Sequence, residues 1–263
     1  MIKTTAERGR RFAAALALIC AGRAAAAPAI PSSPGGRPVE YELSERVMER
    51  IGIFQPLAES TQRWQYDGQR LYRDGMIGSY ARVEKHLKIG AFYRLQYGAR
   101  HDDDWTKNPA GVWSWRDSTG RPESVLVLDA TPRMELPFLP GGHWTGSVKL
   151  RYERNFSNLQ NTFFVSPELG WFWMDGLAPV ATVFLRYEAW LPLNFGETNV
   201  YEQWWYLAAL WHAQPWLSLG PQIALRDEAW STSAAFRAAN PGRGYRTLYR
   251  SWVPGFTVVA RLR

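Results

Sequence analysis

The densest acidic cluster in the chain is His101-Asp102-Asp103-Asp104-Trp105. Clustered carboxylates suit Ca²⁺, a hard cation that takes oxygen ligands, and carboxylates beside a histidine are also the raw material of acid/base hydrolysis. Neighbouring residues on an extended chain point to opposite faces, so Asp102, Asp103 and Asp104 converge on one ion only where the loop curls. They lack the spaced ligands of a defined calcium loop, which makes a solvated loop the simpler reading. His143 and Ser147 have the residue types of a base and its nucleophile. No third member of a triad is marked, and a turn histidine is the plainer expectation. His212, beside Trp211 and near Trp216, reads as part of an aromatic girdle.

The elements that must position these residues are strands. Nine segments alternate with period two: 76–84, 88–100, 125–136, 145–154, 161–173, 180–191, 200–212, 216–228 and 250–263. In 88–100 one face carries Ile89, Ala91, Tyr93, Leu95, Tyr97 and Ala99, while the other carries Lys88, Arg94, Gln96 and Arg100. In 216–226 Leu217, Leu219, Ile223 and Leu225 oppose Ser218, Gln222 and Arg226. Charges keep to one face, as in strands with an apolar environment on one side and a polar one on the other.

The connections alternate too. Those at 85–87, 137–144, 174–179 and 213–215 are mostly shorter than those at 101–124, 156–160, 192–199 and 229–249. Short turns at one rim and longer loops at the other describe an up-and-down barrel crossing a membrane, with the short turns periplasmic. Bacterial single-chain barrels have even strand numbers, so nine segments require a tenth before residue 75. Residues 59–67 run into Asp67-Gly68, a hairpin signal, and are taken as that strand. Residues 40–54 are the other candidate for that strand, but Leu43, Val47 and Ile51 stand at i, i+4 and i+8, which favours a helix over 40–53, either periplasmic or lodged in the lumen. The expected fold is therefore all-β, a transmembrane antiparallel barrel of ten strands spanning 59–263.

Composition agrees with that expectation. Residues 1–26 have a basic start (Lys3, Arg8, Arg10, Arg11), ten apolar residues from Phe12 to Ala21, and a small-residue run at Ala24-Ala25-Ala26. This is the pattern of a cleaved export signal, because ten apolar residues fall short of the roughly 20 that a membrane helix needs. Residues 27–58 follow as a periplasmic arm that opens on a Pro/Gly/Ser-rich stretch. Five of the 31 basic and one of the 24 acidic residues lie in 1–26, leaving 26 against 23, a balance that gives no ground for nucleic-acid binding. The single cysteine, Cys20, also lies in the leader, so residues 27–263 offer no disulfide, thiol nucleophile or thiolate zinc site. The 14 Trp, 12 Tyr and 12 Phe suit the aromatic girdles of a lipid-facing barrel.

The alternating Phe256, Val258, Ala260 and Leu262 resemble the C-terminal assembly signal of bacterial outer-membrane β-barrel proteins, departing from it in the final Leu262-Arg263. The resemblance implies an outer-membrane location, with lipid and the barrel assembly machinery as partners. A ten-stranded barrel is narrow, and its inward face would hold Arg82, Glu84, Arg94, Asp129, Arg133, Glu135, Lys149, Arg151, Glu153, Glu168, Arg186 and Glu188. Mixed signs favour a polar network that closes the lumen, in a non-enzymatic barrel whose extracellular loops bind. Two other readings stay open. One is an enzyme acting on lipid or peptide at the extracellular rim, as outer-membrane proteases use aspartates with a histidine. The other is a small-solute channel. No cofactor is expected beyond Ca²⁺ at Asp102, Asp103 and Asp104.

Overall fold

The computed structural model describes residues 39–262, apart from 67, 69, 99–103, 108–112, 117–121, 142, 196–199, 232–233 and 243–245. Eleven strands form one closed barrel: β1 (Glu40–Glu49), β2 (Phe54–Gln65), β3 (Arg70–Glu84), β4 (Leu87–Gly98), β7 (Glu123–Glu135), β8 (Trp144–Asn155), β9 (Asn161–Asp175), β10 (Ala178–Pro192), β11 (Glu202–Gln214), β12 (Leu217–Ser231) and β13 (Arg246–Leu262). A separate hairpin, β5 (Asp104–Lys107) with β6 (Trp113–Arg116), stands in the β4–β7 connection, and a six-residue helix α1 (Ala234–Ala239) lies between β12 and β13. All consecutive barrel strands pair antiparallel. The closing pair, β1 with β13, is parallel, with Glu42 opposite Gly255 and Glu49 opposite Leu262.

Eleven strands correct the expected ten. The nine alternating segments are β3, β4 and β7 to β13, and 59–67 falls within β2 and the turn that follows it. Gly68 takes φ +83° in that turn, and its N–H donates to the Gln65 carbonyl at 3.0 Å. The added member is β1, which occupies the residues read as a helix and brings part of the expected arm into the barrel wall. A spacing of four residues is close to one helical turn, but it is also an even number, so Leu43 and Val47 share a strand face equally well. The face behind them carries Glu40, Glu42, Ser44, Arg46 and Met48.

An odd strand number also separates the ends of the barrel. Connections 50–53, 85–86, 136–143, 176–177 and 215–216 define a short-turn rim, where β13 ends. Connections 66–69, 99–122, 156–160, 193–201 and 232–245 define a long-loop rim, where β1 begins. Ten strands would have brought both ends to one rim. Eleven place Glu40 and Leu262 at opposite rims.

Alternation sorts the side chains. Outward positions are mostly apolar and open, with Leu95 41 %, Leu207 52 % and Trp211 58 % exposed. Inward, Arg94, Glu153 and Arg226 are at most 5 % exposed. Two apolar groups also pack inside, one around Trp204, Tyr206 and Phe164, the other around Tyr80, Phe92 and Val127. Gly90 makes room for the second: a Cβ there would meet the Tyr80 and Phe92 rings within 2.6 Å. No described helix is long and apolar enough to cross a membrane.

Candidate functional site

The polar interior is built in three tiers. Near the long-loop rim, β1, β2, β11, β12 and β13 converge around two arginines. Arg226 donates from Nε to Glu202 at 3.0 Å, contacts Glu228, and reaches Glu40 at 3.5 Å. Arg63 donates to Glu42 at 3.0 Å and stands 3.6 Å from Glu40. Tyr249 Oη donates to Glu40 at 2.6 Å, and Gln222 donates to Glu42 at 2.9 Å. Both guanidiniums also lie against the Trp204 ring, at 4.5 Å for Arg63 and 5.3 Å for Arg226. Buried charge is tolerable only when paired and hydrogen-bonded, and this tier satisfies its arginines from several sides.

The second tier joins β3, β4, β7 and β8. Arg151 holds Asp129 through Nε at 2.7 Å and a second nitrogen at 3.0 Å, and Tyr80 Oη donates to the same carboxylate at 2.8 Å. Arg94 grips Glu153 through both terminal nitrogens, and Arg151 reaches Glu153 at 3.5 Å. Two-pronged pairs of this kind fix orientation as well as charge. Above them Glu123 accepts from Gln96 at 3.3 Å and Asn155 at 2.8 Å. Arg186 on β10 pairs with Glu188 at 3.0 Å and Glu168 at 3.9 Å.

The third tier faces the short-turn rim and is different in kind. Arg46 pairs with Glu59 at 2.6 Å. Around them Arg82, Glu84, Arg133 and Lys149 line a cavity of about 230 Å³, and none of the four makes a side-chain ion pair among the described residues. Glu135 is exposed at the end of β7, also with no described ion pair. Above this chamber a central cavity of about 340 Å³ runs past Arg151, Arg186 and Trp204. The two cavities share Arg46, Glu59 and Lys149 as lining.

Of the twelve inward charges named from sequence, Arg94, Asp129, Arg151 and Glu153 thus form one cluster and Glu168, Arg186 and Glu188 another. The remaining five stand at the short-turn end. Sequence reasoning missed Glu40, Glu42, Arg46, Glu59 and Arg63, all on the two strands it did not alternate. It also left out Glu202 and Glu228, though both share the polar parity of Arg226. The even-numbered series from Glu40 to Met48 was the available signal.

The other candidates separate. Asp102 and Asp103 lie outside the described residues, and Asp104 opens β5. Among the described residues no cluster of three or more His, Asp or Glu is placed to hold a metal ion. His143 is exposed in a turn with φ +64°, and no described hydrogen bond links it to Ser147. His212 corrects the girdle expectation. It lines the central cavity, bonded through Nε2 to Thr182 Oγ1 at 2.8 Å and through Nδ1 to Ser218 Oγ at 2.6 Å, and Arg261 donates to the same Ser218 oxygen. Parity explains the error: position 212 falls on the same face as Glu202 and Trp204.

The chain matches no protein-family model, and no curated protein is significantly similar to it in sequence.

Proposed function

We propose that this chain is a bacterial outer-membrane barrel that crosses lipid with its eleven strands, exported by residues 1–26. In this reading it is non-enzymatic: the buried ion pairs close the lumen toward the long-loop rim, and the loops of that rim carry external binding. The observation behind the reading is the inversion of sidedness. Leu95, Leu207, Trp211 and Ile223 point outward and exposed, while Arg94, Glu153, Arg226 and Glu228 are sealed within. A barrel in water would leave that apolar outer belt unsupported, whereas lipid covers it at no cost. The short turns then face the periplasm.

A planar bilayer tests the closed lumen. Wild-type protein is expected to add no steady conductance, and ohmic single-channel currents would replace this reading with a small-solute channel. The contiguity of the two cavities at Arg46 and Glu59 is what favours that second reading. A channel gated there would open when Glu59→Gln releases Arg46.

A further inference from the structure

The chamber at the short-turn rim has a charge balance unlike the rest of the lumen. Seven of its seventeen lining residues are Arg or Lys, against two Glu, and one of those, Glu59, is already held by Arg46. Arg82 on β3 stands directly opposite Lys88 on β4 in the ladder, both facing the chamber. Like charges facing each other across two strands are destabilising, and no carboxylate bridges this pair among the described residues. Lys88 is half-buried over the Tyr80 ring at 4.2 Å, and Lys149 is half-buried with no hydrogen bond or ion pair. Elsewhere among the described residues, the fully buried cations Arg63, Arg94, Arg151 and Arg226 are each met by a carboxylate. Here Arg82 and Arg133, both exposed, and Lys88 and Lys149, both half-buried, line about 230 Å³ of space with no ion pair among the described residues.

We infer that this chamber is a binding site for a phosphate-bearing anion, held by Arg82, Lys88, Arg133 and Lys149. The guanidinium forks suit phosphate oxygens, and the lysines add point charge from the wall. A polyanion of pyrophosphate size fits the volume and answers the excess charge better than a single carboxylate. A free phosphate compound and a lipid phosphate headgroup share this chemistry, since the chamber opens among the exposed turn residues Arg50, Gly52 and Lys85. The site stands whether or not the lumen conducts.

The test uses the full barrel in neutral detergent, titrated with sodium pyrophosphate against sodium chloride of matched ionic strength, reading the thermal midpoint and equilibrium dialysis of labelled pyrophosphate. Wild type should bind saturably with a raised midpoint. The double variant R82Q/K88Q should bind at least about tenfold more weakly, as expected for loss of charge-assisted hydrogen bonds. Its midpoint without anion should be higher than that of wild type, because the facing charges no longer repel. Arg133→Gln, a single change at an exposed position, should weaken binding and leave the fold intact should the double variant fail to fold. In nanodiscs of phosphatidylcholine alone, pyrophosphate should bind. In discs that also contain phosphatidylglycerol, lost binding identifies the headgroup as occupant, and unchanged binding identifies a free phosphate compound. No saturable binding by wild type, or equal binding by wild type and both variants, overturns the inference.

Discussion

Arg151 and Lys149 sit two residues apart on the inner face of β8, and the same substitution should affect them in opposite ways. Arg151 neutralises Asp129, whose carboxylate is fully buried. Arg151→Met leaves that carboxylate with only the Tyr80 hydroxyl, and orphaning a buried charge commonly costs about 3–5 kcal/mol. The expected result is a large drop in the temperature at which the folded gel band converts to the unfolded one. Lys149→Met removes a cation that holds no ion pair. It should leave that temperature unchanged or raise it, because nothing is orphaned and like-charge repulsion with its basic neighbours is lost. Equal losses from both substitutions would show that the chamber lysine carries a structural partnership.

At the scale of the strand, β4 offers the sharpest comparison. Leu95 points outward and Gln96 inward, where it donates to Glu123 at 3.3 Å. Leu95→Arg places charge on the apolar belt, at about 2–4 kcal/mol if the belt meets lipid at mid-depth. Gln96→Arg places a cation beside Glu123 and should assemble normally. Heat-modifiable migration after refolding into bilayers reads both, and equal damage would contradict the alternation. The strands that alternate strictly were legible in sequence for this same reason: one environment on each side leaves a period of two. β1 was not, because its odd-numbered positions carry Glu45 and Glu49 among Tyr41, Leu43 and Val47, which blurs the pattern. The inner tiers were only half legible. Alternation tells which residues face inward, but whether a charge meets an opposite charge depends on register between strands. Arg94 with Glu153, from strands separated by β7, has no local signature. For the same reason the unpaired chamber could not be told from the paired tiers.

For the whole molecule, the odd strand count sets the topology. If the short turns face the periplasm, an impermeant thiol reagent added to intact cells should label a cysteine placed at Asn108 in the β4–β7 loop, and equally one placed at Val39 before β1. Labelling at Asn108 alone would mean that the first strand is not in the wall in cells. The parallel seam has a consequence for assembly. Both β2 and β12 run antiparallel to the strands that flank the seam, so β2 is itself antiparallel to β13. Two staves therefore compete for the free edge of β13 while the barrel is still an open ribbon. β1 offers a parallel match and β2 an antiparallel one, and pairings so distant in sequence form late because their loop entropy is paid first. The β1 stave is favoured because its docking brings Glu40 to Arg226 and Glu42 to Gln222, while Arg63 already faces Glu42 within the β1–β2 hairpin. Without it the ribbon still has ten staves and complementary edges. A chain lacking residues 39–49 should accordingly close on itself as a narrower cask, still heat-modifiable but with Arg63 and Arg226 stripped of two of their carboxylates. The eleventh stave is thus the one the cask can be built around, and its charges decide which of two closures the ribbon makes.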